Sequence, residues 1–183
     1  MNHNYYEEMR MHILGCIIAP AGDYGYHIVD EDDPNCIVLT VPAENAINGM
    51  IEIRIQIIEN GMYVMWYYPT IALKEDDNQS EEEKYRIATE LSVAFNNFTD
   101  KTDELVTHTL CINREDGDIF WKSFYNRALF YPFSKEGTIR VLKDIIRTQP
   151  KRFESMCFPV FAALIGKLPV EKANDIIEKM RKE

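Results

Sequence analysis

The fold is decided by residues 104–166, which read ELVTHTLCINREDGDIFWKSFYNRALFYPFSKEGTIRVLKDIIRTQPKRFESMCFPVFAALIG. Two β-rich runs flank Asp116-Gly117, a dipeptide that favours a tight hairpin turn. Ser134 then provides the side-chain oxygen of a helix N-cap. A second helix follows, with Pro159 inside its apolar face. The stretch therefore predicts two antiparallel strands followed by two helices, and it contains no residue pattern typical of catalysis.

A second hairpin precedes this stretch. Isoleucines alternate with polar residues over 51–57, which is the pattern of a strand with one buried and one solvated face. Asn60-Gly61 follows, and both residues tolerate the positive φ angles of a type I′ turn. The returning strand is predicted from residue 62 to about residue 72. These two strands should pair in antiparallel fashion across the Asn60-Gly61 turn.

The whole chain is predicted to form one α+β domain over residues 1–183, with an antiparallel sheet of about six strands and helices packed on it. The element order is α-ββββ-α-ββ-ααα, with the helix in 1–22 and the helix in 168–183 as additions to the core. Pro150 is expected to end the first C-terminal helix or to start the next. Apolar spacing and capping residues predict the other elements: helix 5–18, strands 26–30 and 36–41, a helix from the Ser80/Glu83 capping box to about residue 98, and helix 170–182.

Composition limits the classes of partner. The chain has 183 residues, is 46% apolar and carries a net charge of −10, which is typical of a globular protein. Binding to DNA or RNA draws affinity from clustered Lys and Arg, and anionic membranes attract the same residues. We therefore expect this acidic chain to bind neither nucleic acid nor membrane, whereas a basic protein partner would suit it.

The cysteines and the apolar runs bear on the compartment. The four cysteines lie far apart in apolar segments, so reduced, buried thiols are expected rather than a zinc or redox motif. A short apolar run at 13–19 follows two glutamates, where a signal peptide would be basic. No later run reaches the length of a membrane span. The protein is expected to be cytoplasmic.

Neither catalytic nor metal-binding residues are predicted. Acidic clusters at 30–33, 75–77 and 115–118 fall in turns or links, where carboxylates are usually solvated. The chain has neither a Gly-x-Ser-x-Gly nucleophile motif nor a glycine-rich phosphate loop. No cofactor is expected, and the chain is interpreted as non-enzymatic. The four histidines have no metal-ligand spacing: His3, His12, His27 and His108.

Apolar patterning is the strongest functional signal. Residues 62–68 are apolar or aromatic on both faces, and an antiparallel strand of that kind needs cover on each side. Either the terminal helices of the same chain cover the second face, or it stays open for a second protomer or an extended peptide. The candidate protein-interaction surface consists of Tyr63, Met65, Tyr67, Phe120, Phe124 and Tyr131.

One ordered set of motifs resembles a known family. The motifs are Phe95-Asn-Asn97-Phe98 at a helix end, the Asp116-Gly117 hairpin, Pro132-Phe-Ser134 before a helix, and Pro159 in a helix that ends in Leu164-Ile-Gly166. In this layout the chain resembles the YbjN-type proteins, bacterial domains related in fold to the small chaperones of type III secretion. The resemblance covers residues 24–166 and is most specific over 85–166.

The resemblance implies an α+β domain that commonly dimerises, and the secretion chaperones bind extended segments of client proteins. It carries over no catalytic residue. Asn97 matches the helix-end pattern of the family, where a C-cap is its expected role. The leading hypothesis is therefore a non-enzymatic, homodimeric chaperone or adaptor that binds a protein partner or peptide. The alternatives are an acidic immunity-type inhibitor of a basic toxin and an enzyme with an unrecognised pocket.

Overall fold

The computed structural model describes residues 3–21, 35–44, 49–67, 79–99, 108–113, 115, 118–130 and 134–180. Helices and strands in these ranges alternate in blocks, as the apolar patterns predict. A 3₁₀ turn covers Arg127–Leu129 and a π-turn covers Asp144–Thr148. The main elements are α1 His3–Ala21, β1 Cys36–Pro42, β2 Met50–Ile58, β3 Gly61–Tyr67, α2 Glu81–Thr99, β4 His108–Ile112, β5 Ile119–Asn126, α3 Lys135–Lys143, α4 Gln149–Leu164 and α5 Val170–Met180.

The strands form one antiparallel sheet in the order β1-β2-β3-β5-β4. The α+β class is confirmed. The sheet has five strands in the described residues rather than the predicted six, because the predicted strand 26–30 lies outside the described residues. Residues 68–72, which were predicted to extend β3, also lie outside them.

The inner face of the sheet packs against the helices in a single core. The four alternating isoleucines in 51–57 of β2 and the Met62-Val64-Trp66 series of β3 are 0–2% exposed, as their alternation predicts. They belong to one apolar cluster with residues of α1, α2, α4 and α5. Burying each isoleucine side chain contributes about 1.5–3 kcal/mol. This face therefore supplies most of the packing between sheet and helices.

The turn between β2 and β3 differs from the prediction. Ile58 pairs with Gly61, so Glu59 and Asn60 are the two turn residues and Gly61 is the first residue of β3. Gly61 has φ +153°, and a Cβ atom placed on it would lie 2.1 Å from the Tyr125 carbonyl oxygen in β5. Glycine is thus required here because β5 approaches closely. The sequence of the β2–β3 hairpin alone does not predict this approach.

Pro150 lies in the first turn of α4, which is one of the two positions predicted for it, but the helical backbone is not interrupted before it. The helical backbone continues from α3 through the π-turn into α4, with αR angles at Lys143, Asp144, Thr148 and Gln149. A proline ring in an α-helix clashes with the carbonyl four residues earlier. The wider π-turn directly before Pro150 accommodates that ring. Residues 135–164 therefore form one continuous helical segment, which we call the rod.

The π-turn leaves the Ile145 carbonyl without a helical donor, and a residue of the sheet donates to it instead. The Gln149 N–H donates to the Asp144 carbonyl, and Pro150 has no N–H to offer to Ile145. The indole Nε1–H of Trp66 in β3 donates to the Ile145 carbonyl oxygen at 3.2 Å. Trp66 is 0% exposed, so this bond satisfies a polar group deep in the core.

Candidate functional site

The outer face of the sheet carries an aromatic patch on β3 and β5. Tyr63, Met65 and Tyr67 lie on the same side of β3, opposite to Trp66, and Phe120 and Phe124 lie on the same side of β5. We call these five residues the aromatic face. They are five of the six residues of the predicted interaction surface. The sixth, Tyr131, lies outside the described residues.

The rings of the aromatic face form two cross-strand pairs. Tyr63 lies directly opposite Phe124, with ring centroids 5.2 Å apart and planes tilted by 50°. Tyr67 lies opposite Phe120 and stacks on it at 4.7 Å. Pairs of this kind contribute about 0.2–1 kcal/mol each to a sheet. They also hold the rings in a fixed arrangement before any partner arrives.

Two cations border these rings. The Lys122 ammonium lies 4.3 Å from the centroid of the Tyr63 ring, and the Arg54 guanidinium lies 5.3 Å from that of Tyr67. Arg54 also forms an ion pair with Glu52, with Nε and Oε1 2.6 Å apart. Neither cation was predicted to belong to this surface, although strand alternation places residues 54 and 122 on the outer face. Only the strand register puts them beside the tyrosines.

The described helices pack on the inner face of the sheet and do not cover the aromatic face. The five residues are absent from the apolar cluster that joins sheet and helices. α1 packs on α3, and α5 packs on α2 and α4, so the described terminal helices lie with the other helices. Phe124 is 36% exposed and the other four residues are half-buried. Val38 of β1 lies on the same side of the sheet and is only 3% exposed, so this side is covered at β1.

The edge of the sheet at β4 is blocked by α2. The Asn96 amide accepts from the Leu110 N–H at 2.8 Å and donates to the Leu110 carbonyl at 3.2 Å. It therefore occupies both hydrogen-bonding groups that an added strand would use at this residue. The sequence motif predicted a helix C-cap at Asn97, whereas α2 continues to Thr99 and Asn96 bonds to β4. A partner of this sheet would bind its face rather than this position of the edge.

A buried polar pair lies on the inner face. The His108 ring and the Ser123 hydroxyl form a hydrogen bond through Nδ1 and Oγ, and the imidazole lies against Trp121 with ring centroids 4.0 Å apart. A serine–histidine pair is a common arrangement for nucleophilic catalysis. Here the two residues are 3% and 2% exposed, so a substrate could not reach the hydroxyl. The pair satisfies two polar groups within the core.

A cysteine–histidine pair lies on α1, where its histidine contacts α3. His12 Nε2 lies 2.8 Å from the Thr138 hydroxyl oxygen and 3.8 Å from the Cys16 sulfur. A nucleophilic thiolate needs a lowered thiol pKa. Burial instead raises the pKa of Cys16, with Lys135 opposing the rise, and burial lowers the pKa of His12. Both groups are driven towards their neutral forms, so the arrangement does not support a thiolate nucleophile.

Thiol modification should report this burial. All four cysteines are free, and burial raises the pKa of Cys157 well above its usual range. In a variant with Cys36→Ser and Cys111→Ser, we expect Cys16 and Cys157 to react with a disulfide reagent at pH 7.5 at least about tenfold more slowly than after denaturation, since the thiolate is the reactive form. Absorbance kinetics measure the rate. Equal rates in the two states would contradict the burial of both thiols.

The described ranges contain no group of three or more His, Cys, Asp or Glu side chains that could hold a metal ion. The same ranges contain no helix that is both long and apolar enough to cross a membrane. The predicted acidic clusters at 30–33 and 75–77 lie outside the described residues.

Comparisons with protein families, with characterised proteins and with solved structures gave no significant match to this chain.

Proposed function

We propose that this chain is a non-enzymatic protein-binding domain, a YbjN-like chaperone or adaptor, that receives an extended apolar segment of a partner protein on its aromatic face. The observation that carries the proposal is the contrast between the two sides of β3. Met62, Val64 and Trp66 are buried in the apolar cluster that joins sheet and helices, whereas Tyr63 and Tyr67 are half-buried and lie outside that cluster of the described residues. Apolar area left outside the core is typical of interaction surfaces.

The chemistry of the face favours a polypeptide partner. Aromatic residues, methionine and arginine are enriched in protein interfaces, because they offer large contact areas with polar groups at their rims. The tyrosine hydroxyls and the bordering Arg54 and Lys122 can hydrogen bond to peptide carbonyl groups. The ring pairs are already ordered by the sheet, which lowers the entropy lost on binding.

The test uses the full chain and a random twelve-residue peptide library displayed on phage. We expect the selected peptides to be rich in apolar residues. A double variant, Tyr63→Ser with Phe124→Ser, should bind a selected peptide at least about tenfold more weakly, because a few central aromatic residues usually carry most of the binding energy. Isothermal titration calorimetry measures the affinities, and circular dichroism verifies that the variant is folded.

Val93→Ser is the matched control, since Val93 is an apolar residue of α2 that is 58% exposed and lies away from the sheet face. It should bind the selected peptide as the wild type does. A library that yields no binder, or a double variant that binds normally, would overturn the proposal. If the double variant no longer formed a homodimer, and the peptide did not compete with dimerisation of the wild type, the face would be assigned to self-association. That outcome would also overturn the proposal.

The homodimer is a separate prediction. Size-exclusion chromatography with light scattering should give twice the protomer mass for the full chain, in keeping with the family that the sequence resembles. The immunity-type inhibitor and the enzyme with an unrecognised pocket stay predictions. The first requires binding to a basic protein that weakens with salt, and the second requires at least two convergent titratable side chains in a concave site.

A further inference from the structure

The rod formed by residues 135–164 carries a concentration of positive charge in an otherwise acidic protein. Residues 140–151 contain four cations and one carboxylate, whereas the chain as a whole has a net charge of −10. The cations are Arg140, Lys143, Arg147 and Lys151. We call these four residues the basic stripe. The single carboxylate, Asp144, accepts a hydrogen bond from the Gln149 amide at 2.9 Å.

The spacing of the basic stripe places its side chains along one side of the rod. Residues three or four apart on a helix are neighbours, and the four cations follow at intervals of three, four and four. Arg140, Lys143 and Lys151 are exposed and Arg147 is half-buried. At 1.5 Å per residue, the stripe is about 16 Å long. This alignment exists because the helix continues through Pro150.

Three members of the stripe have no counter-ion among the described residues. Arg140, Lys143 and Lys151 form no ion pair there, whereas Arg10, Arg54 and Arg86 each pair with a glutamate. At the two ends of the stripe, Glu136 and Glu154 each line a groove beside one of its cations. The stripe is therefore an open cationic surface between two flanking carboxylates.

One exposed apolar residue lies directly beside the stripe. Where the rod meets the end of β1, next to Lys151, the apolar residues Val41, Ala43 and Ile146 are buried. A groove joins Lys151 to Phe158, which is 57% exposed. The surface thus combines cations with a place for an apolar side chain. From Arg140 to Phe158 it extends about 27 Å, the length of about eight residues of extended chain.

We propose that the basic stripe is a second binding surface, distinct from the aromatic face, for an acidic polypeptide segment that carries apolar side chains between its carboxylates. Charge complementarity selects the acidic residues, and the groove at Phe158 receives an apolar one. A long polyanion such as duplex DNA fits less well, because beyond the 12-residue stretch 140–151 it would meet the acidic remainder of the chain. An anionic membrane meets the same repulsion.

The test uses the full chain and a fluorescein-labelled twelve-residue peptide in which glutamate alternates with leucine. Fluorescence anisotropy at 50 mM NaCl should show saturable binding with a Kd below 1 mM, and raising the salt to 300 mM should weaken it several-fold. The same peptide with glutamine in place of glutamate should bind at least about tenfold more weakly. Lys143→Glu with Lys151→Glu should also weaken binding of the glutamate peptide at least about tenfold.

The matched control is Lys172→Glu with Lys179→Glu, which changes the net charge equally at two exposed lysines of α5. It should keep most of the affinity, and so should the Tyr63→Ser, Phe124→Ser variant of the aromatic face. Thermal unfolding verifies that each variant is folded. Equal losses in the two lysine variants, absence of saturable binding, or tighter binding to phosphatidylserine vesicles or duplex DNA than to the peptide would each overturn the proposal.

Discussion

Gly61→Ala is expected to lower the free energy of unfolding by about 3 kcal/mol or more, the largest effect of any single substitution considered for this fold. Two costs add. The backbone of Gly61 has φ +153°, which side chains rarely adopt, and the new methyl group would lie 2.1 Å from the Tyr125 carbonyl oxygen. Because that oxygen belongs to the backbone of β5, relief requires β3 and β5 to move apart.

Urea unfolding followed by circular dichroism measures this change. Gly15→Ala is the matched control, since Gly15 lies in α1 and a Cβ placed on it meets nothing within 4 Å. Alanine is favoured over glycine in a helix by about 1 kcal/mol, so this variant should be more stable than the wild type. A Gly61→Ala protein as stable as the wild type would show that the β3–β5 approach is wider than described.

Trp66→Phe is expected to have the second-largest effect, a loss of about 2–4 kcal/mol. The smaller ring leaves unfilled volume in the core, and the Ile145 carbonyl loses the donor that lies 3.2 Å away. Pro150 offers no N–H, and the Gln149 N–H already donates to the Asp144 carbonyl, so a replacement from the helix would break that bond. A buried carbonyl left without a donor costs about 1–3 kcal/mol.

Trp121→Phe separates the two contributions. Trp121 is also 0% exposed, but its indole nitrogen has no hydrogen-bond partner among the described residues. The same change of ring therefore costs packing alone at this position. Urea unfolding should show the Trp66 variant to be less stable than the Trp121 variant by about 1–3 kcal/mol. Equal losses would mean that the bond to Ile145 contributes nothing.

Features with a local cause were predictable from the sequence. The alternation of 51–57 determined which face of β2 is buried, and the mixed pattern of 62–68 indicated that β3 has apolar side chains on both faces. Since side chains on a strand alternate strictly, Tyr63, Met65 and Tyr67 had to share the face opposite to Trp66. Five residues of the predicted surface consequently lie together.

Features that depend on distant partners were not predictable in this way. Pro150 was expected to end one helix or to start the next, and its place in a continuous helical backbone was not predicted. The donor to the Ile145 carbonyl lies 79 residues away, in Trp66. The contact of Asn96 with Leu110 and the position of Lys122 over Tyr63 likewise depend on how elements meet. The spacing of the four cations of the basic stripe can be read from the sequence, but their alignment on one side depends on the continuous helical backbone of the rod.

The bond between Trp66 and Ile145 has a mechanical consequence. A thirty-residue helix with a proline at its centre would ordinarily bend there, and its halves would fluctuate independently. Here the weak point of the backbone is also the point clamped to the centre of the sheet. The middle of the rod is therefore held to the central strand of the sheet, so that a bend at Pro150 would break a buried hydrogen bond.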